Sequence, residues 1–304
     1  LTPASKLGTP TMGGIVIFVS FLVSVFLWGK LSNYFLRTAL FAAFWFTALG
    51  FCDDYLKSVR GSSDAGMSRG VKLIFQALFA IILAHLVLST GLFNIPEEIK
   101  TALFIPFFKN PVFDLSYFYY LFIIFVVVGI SNSINFADGL DGLAIVPTSM
   151  VALVYAIFAY ILSNSKLAEY FLFPYIAGSE ELVIVLAALI GAMAAFLWFN
   201  TYPAEVFMGD TGSLMLGGII ATTAILLKKE IIFLIAGGVF VMEFMSVFLQ
   251  DYIGIKLLKR RIFYRAPIHH SFRFLGIAEP KIVVRFWIIA VIFTLISLIS
   301  IKLR

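Results

Sequence analysis

Apolar residues gather in nine long runs, at 13–29, 38–52, 72–90, 115–133, 143–162, 182–199, 213–228, 231–250 and 286–302. A helix needs about 20 mostly apolar residues to cross a bilayer, so the pattern predicts nine membrane-spanning helices. The run at 213–228 is rich in Gly and Thr. Segment 101–114 sets Pro106 and Pro111 around an aromatic stretch; it is too short to span and predicts a short exterior hairpin. The expected fold class is an all-α polytopic membrane protein, one domain over residues 1–304.

Composition removes the alternatives. Of 304 residues, 62% are hydrophobic and 13% charged, with mean hydropathy +1.03, against about 45–50% and about 25% in soluble domains. Such a chain cannot be a water-soluble globule with an ordinary core. Cys52 is the only cysteine, which excludes a disulfide scaffold. The first twelve residues are polar, so no cleavable signal is visible, and a start at Leu1 points to a piece of a longer protein.

The formal charge of +5 reflects topology, not nucleic acid. With loops counted alternately, the amino end, 53–71, 134–142, 200–212 and 251–285 share one side. Lys6, Lys57, Arg60, Arg69, Lys72 and the eight Lys/Arg from Lys256 to Arg285 make thirteen there, against nine opposite. Basic loops face the cytoplasm, which places this set there.

Every unusual polar sequence falls on that same side. A pore or carrier keeps its ionisable groups near the midplane; here they gather at one interface. Asp53 and Asp54 are adjacent carboxylates that repel unless a cation or Lys/Arg neutralises them. They suit Mg²⁺ or phosphate-proton handling, with Lys57 one turn on, or else a solvated helix end. Asn135, Asp138 and Asp141 recur every three residues and share a face if helical, and Gly139 and Gly142 leave space for a ligand; the plain alternative is a polar turn. Asp210, between Gly209 and Gly212 before an apolar helix, is placed as an N-cap or as a hard oxygen ligand beside a phosphate. Phe207 offers an aromatic face to a base, or is an interface residue.

His269 and His270 lie among Lys259, Arg260, Arg261, Arg265 and Arg273. No further Cys or His completes a zinc set, so the pair suits proton transfer or contact with a diphosphate. His85 reads as a packed residue. Glu243 sits inside a span and should face the protein interior; Gln250, seven residues on, shares its face. Carboxylates, a lysine, a histidine pair and a basic cluster at a membrane surface suit phosphoryl transfer between a lipidic and a water-soluble substrate. No P-loop is present, which argues against ATP hydrolysis.

Five segments in order, KLGTPTMGG at 6–14, DDYLK at 53–57, NFADGLDGLA at 135–144, FNTYPAEVFMGDTGS at 199–213 and RAPIHH at 265–270, resemble the phospho-N-acetylmuramoyl-pentapeptide transferase branch of the polyprenyl-phosphate N-acetylhexosamine-1-phosphate transferases. The resemblance runs from Lys6 to the end of the chain. It implies ten spans and transfer of phospho-MurNAc-pentapeptide from UDP-MurNAc-pentapeptide to undecaprenyl phosphate. That reaction gives lipid I and UMP, the first membrane step of peptidoglycan synthesis. The resemblance also implies Mg²⁺ as cofactor, a homodimer, and a site at the cytoplasmic face of the bacterial inner membrane. Asp53, Asp54, Asp210 and His269 would be catalytic, with Asp210 the metal ligand. The nucleoside pocket would comprise Lys6, Thr11, Asn135, Asp138, Gly139, Leu140, Asp141, Asn200, Phe207, Gln250, Ala266 and His270. Phe207 would stack on uracil, Asp141 would hydrogen-bond to it, and Lys57 and Lys72 would lie near the phosphates.

Two departures from the family pattern stand out. Ser271 occupies the position of a third histidine, and the span that normally precedes KLGTPTMGG is missing, by truncation or by loss. The nearest alternative activity is transfer of GlcNAc-1-phosphate to a polyprenyl phosphate; TPTMGG and RAPIHH favour the MurNAc-pentapeptide branch. A non-enzymatic nucleotide-sugar carrier draws support only from Glu243 and His85. Two routes are open: direct attack by the lipid phosphate after Asp53 or Asp54 takes its proton, or a phospho-aspartate intermediate. An oriented nucleophile suffices for the direct route, which is the one expected.

Overall fold

The computed structural model describes residues 8–62 and 65–303. The apolar runs become helices α1 (Gly14–Trp28), α2 (Tyr34–Arg60), α3 (Arg69–Ser89), α4 (Phe118–Ala137), α5 (Ile145–Ser163), the short α6 (Ser165–Tyr170), α7 (Glu181–Asn200), α8 (Gly209–Leu226), α9 (Ile232–Ala236), α10 (Gly238–Phe248), α11 (Ile268–Phe274) and α12 (Glu279–Ile299). A stretch of π-helix, Leu249–Leu257, continues α10. Among the described residues eight helical segments, α10 taken with its π extension, are long and apolar enough to cross a membrane; α1 is apolar but has 15 residues. The chain is a multi-pass membrane protein. Between α3 and α4 the predicted hairpin is present as β1 (Ala102–Leu103) and β2 (Phe113–Asp114), antiparallel with Ala102 opposite Asp114.

α8 forms the axis of the bundle. It is buried from Thr211 to Leu226, with α1, α2, α4 and α5 packed around it. Small residues permit that approach, as in other membrane interfaces. A Cβ on Gly50 of α2 would lie 2.2 Å from the Asp210 carbonyl oxygen, and one on Gly14 of α1 would lie 2.1 Å from the Gly212 nitrogen. Gly and Thr, which weaken the hydropathy of this run, are what let it be surrounded by protein.

Helix ends differ from the apolar runs in a consistent way. α2 begins at Tyr34, where the Asn33 side chain accepts from the Phe35 and Leu36 N–H groups at 2.8 and 3.2 Å. It continues past the apolar stretch through Asp53, Asp54 and Lys57 to Arg60, and Gly61 closes it in the left-handed region at φ 64°. The span expected at 231–250 is divided at Gly237 into α9 and α10 and then runs on to Leu257. The part of α2 that runs past its apolar stretch carries Asp53, Asp54 and Lys57.

Candidate active site

Two helix ends meet here: the carboxyl end of α2 and the amino end of α8. The first N–H groups of a helix have no partner within it. In α8 they are satisfied from outside, because Asp54 Oδ1 accepts from Asp210 N at 3.1 Å and Asp54 Oδ2 accepts from Thr211 N at 2.8 Å and Thr211 Oγ1 at 2.7 Å. Asp210 is not the cap of its own helix, correcting that reading of the sequence: the cap position is Met208, with no side-chain bond. Gly209 makes the fit possible. Its φ is +73°, and a Cβ there would stand 2.5 Å from Asp54 Oδ2.

Asp210 is thereby turned toward Lys57, Lys72 and Asn135. Its Oδ2 lies 3.2 Å from Lys57 Nζ and 3.0 Å from Lys72 Nζ, and its Oδ1 accepts from Asn135 Nδ2 at 2.9 Å. The same amide donates to Ser213 Oγ at 2.8 Å. Asp53 is fully buried; Oδ1 accepts from Met67 N at 2.7 Å, and Oδ2 meets Lys57 Nζ at 2.6 Å and Lys72 Nζ at 3.4 Å. Asp53, Asp54 and Asp210 each present a carboxylate oxygen within 4.8 Å of the others. Three hard oxygen donors in that span fit a divalent cation such as Mg²⁺.

A cavity of about 310 Å³ opens beside this cluster. Of the residues expected in the site, its wall includes Thr11, Asp54, Lys57, Asn135, Asp138, Gly139, Leu140, Asp141, Asn200, Phe207 and Asp210; Met208 and Gly209 complete it. Asn200 ties two wall segments together, accepting from Gly142 N at 3.0 Å and donating to the Val206 carbonyl at 2.8 Å. Asp141 Oδ2 accepts from Ala204 N at 3.1 Å, while its own N–H donates to Glu279 Oε1 at 3.1 Å. Asp138, just past the end of α4, has its carboxyl pushed well above the usual range, first by burial and then by Asp210, Asp54 and Asp141. Lys6 lies outside the described residues.

Among the described residues six expected ones are not in the cavity wall: Asp53 and Lys72, which belong to the adjacent cluster, and Gln250, Ala266, His269 and His270. Gln250 is buried in the π segment, where its Oε1 accepts from Ile262 N and Phe263 N, both at 3.0 Å, and so pins the basic loop. Ala266 is half-buried at the foot of that loop. His269 is fully buried in α11, its ring 4.1 Å from that of His270 between centroids. Ser271 closes the basic loop: its hydroxyl accepts from Arg265 N at 3.0 Å and donates to the Arg265 carbonyl. Sequence reasoning missed Thr211, whose signal was its place in the Gly-Asp-Thr-Gly turn. It also missed the partnership of Glu243 with His269, which have 25 residues between them and no shared motif.

The model of glycosyl transferase family 4 matches residues 36–228. This stretch runs from the start of α2 through α8 and carries the three carboxylates. The phospho-N-acetylmuramoyl-pentapeptide-transferase of Vesicomyosocius okutanii subsp. Calyptogena okutanii (strain HA) is 48% identical over 302 residues, covering 98% of this chain and 81% of that protein.

Proposed function

The chain belongs to glycosyl transferase family 4, among the phospho-N-acetylmuramoyl-pentapeptide transferases, and on that premise we propose that it transfers phospho-MurNAc-pentapeptide from UDP-MurNAc-pentapeptide to undecaprenyl phosphate, releasing UMP and forming lipid I. The observation that carries the chemistry is the carboxylate–lysine cluster at the wall of the cavity, at one end of the helix bundle. A polar cavity there serves a water-soluble nucleotide sugar, while the surrounding apolar helices give a lipid phosphate its approach. The thirteen-to-nine excess of Lys and Arg supports a site on the cytoplasmic face, and the family resemblance supports the bacterial inner membrane. The chain works as one transferase domain, in a homodimer.

Phosphoryl transfer depends mostly on positioning and charge neutralisation. An oxygen of the lipid phosphate attacks the phosphorus bonded to the sugar; the bond from that phosphorus to the UMP oxygen breaks, and UMP leaves with the electron pair. Lys57 and Lys72 face the diphosphate and hold its charge. Asp53 takes the proton of the incoming phosphate: both oxygens of Asp54 are engaged by the α8 amino end, while Asp53 Oδ2 faces the ammonium groups of Lys57 and Lys72. Asp210 would hold Mg²⁺, which when bound neutralises charge on the diphosphate. Asp138, Asp141, Asn200 and Phe207 line the nucleoside side of the cavity, with Phe207 stacking on uracil. The family resemblance adds Lys6, Gln250, Ala266 and His270 to the residues that contact the nucleotide.

The test is donor choice by the purified chain in detergent with Mg²⁺ and undecaprenyl phosphate. Lipid product with UDP-MurNAc-pentapeptide and none with UDP-GlcNAc is expected. Product with UDP-GlcNAc alone assigns the chain to the GlcNAc-1-phosphate branch instead. Recovery of a phospho-aspartate in a single turnover without acceptor would overturn direct attack.

A further inference from the structure

Glu243 lies in the middle of α10, fully buried, on a helix that is otherwise apolar from Gly238 to Phe248 apart from Ser246. An ionisable group at such depth is destabilising unless it is paired. Its partner is His269: Glu243 Oε2 and His269 Nδ1 are 3.1 Å apart, and neither side chain is exposed. The pair is a close contact between a buried carboxylate and the Nδ1 edge of a buried imidazole, without hydrogen-bond geometry, and neither carboxylate oxygen has another partner among the described residues.

Nε2 has no hydrogen-bond partner among the described residues. It points at the backbone of Gly139, where a Cβ would come within 2.3 Å. Gly139 forms part of the cavity wall, so the absence of a side chain there leaves only one Cα between the imidazole and the cavity. Two turns along the same helical line, Gln250 holds the loop that leads to His269. One face of a single helix thus fixes both the loop and the ring.

We infer that Glu243 is a positioning residue of the transfer reaction that acts through His269, its carboxylate set against the Nδ1 edge so that Nε2 stays against Gly139 at the cavity wall. The inference rests on the proposed transferase reading, in which His269 belongs to the active set. Partners that orient a functional imidazole are worth about 10–100-fold when removed from metal-site histidines, and a loss of that order is expected here.

A double-mutant cycle on the full-length chain tests this, with Glu243→Gln, His269→Ala and the pair, each assayed for UMP release and for melting temperature. Glu243→Gln is expected to lower kcat about 10–100-fold with the donor KM within about twofold of the parent, and to have no further effect once His269 is alanine. Glu243→Asp, which keeps the charge but draws it back by one methylene, is expected to restore part of kcat and serves in the cycle if the glutamine variant melts below assay temperature. Losses that multiply in the double variant, an unchanged kcat in Glu243→Gln, or a loss confined to KM would overturn the role of Glu243. Full activity of His269→Ala would overturn the place of His269 in the active set, and the inference with it.

Discussion

Asp53 and Asp54 are neighbours in sequence yet face different partners, because successive residues on a helix are about 100° apart. Asp54 joins α2 to α8, and Asp53 faces two lysines. The two should therefore fail differently. Asp54→Ala removes three hydrogen bonds at a helix start and is expected to lower stability by about 1–2 kcal/mol, read as a fall in melting temperature in detergent. Asp53→Asn, which keeps an acceptor for Met67 N, is expected to melt near the parent while losing turnover. Asp138 makes a prediction with a definite sign. Its raised carboxyl keeps a proton that the unfolded chain gives up near the ordinary value of about 3.9. The folded state thus binds more protons, and stability falls as pH rises from that value to the raised one. Melting curves with a chelator present should show this slope in the parent and lose it in Asp138→Asn.

Much of this was legible at the level of single residues. The motif segments name most of the cavity wall, and the interior position of Glu243 followed from the cost of a carboxylate in an apolar helix. What the sequence did not carry was division of labour. Nothing in Asp53-Asp54 says which one caps another helix, and Glu243 and His269 meet only because α10 and α11 are packed together. Ser271 looks like a lost histidine until its hydrogen bonds to Arg265 are seen.

At the scale of elements, each of the nine apolar runs is helical, though 231–250 is divided between α9 and α10 and α1 is shorter than a full span, and the short hairpin lies where two prolines and an aromatic stretch put it. Helix ends were less readable, since hydropathy follows the hydrocarbon while α2 and α12 extend beyond it on charged residues. The π segment after α10 has no counterpart in the apolar pattern. The approach of α2 to α8 is a sharper matter. Gly50 stands against the backbone of Asp210, so Gly50→Val forces the helices apart just where the cluster forms. Overpacking of this kind usually costs about 1–3 kcal/mol. It is expected to lower both melting temperature and turnover, whereas Gly129→Val, at a position with open space around it, should change neither.

For the whole molecule, the polar ends of α2, α3, α4, α8 and α10 converge on one face of the membrane, and function follows from that convergence. Lys259, Arg260 and Arg261 are exposed on the loop beside it. Trypsin is expected to cut this loop in inverted vesicles and to spare it in right-side-out ones; the opposite result would turn the topology over. The central claim is that the carboxylate cluster around Asp210 performs the transfer. Its most direct test is UMP release from UDP-MurNAc-pentapeptide across a Mg²⁺ titration, for the parent chain and Asp210→Asn. Mg²⁺-dependent release by the parent, lowered about a thousandfold or ~4 kcal/mol of barrier in a variant that melts normally, is the predicted result. Undiminished release by the folded variant, or release indifferent to Mg²⁺ and chelator, would contradict it.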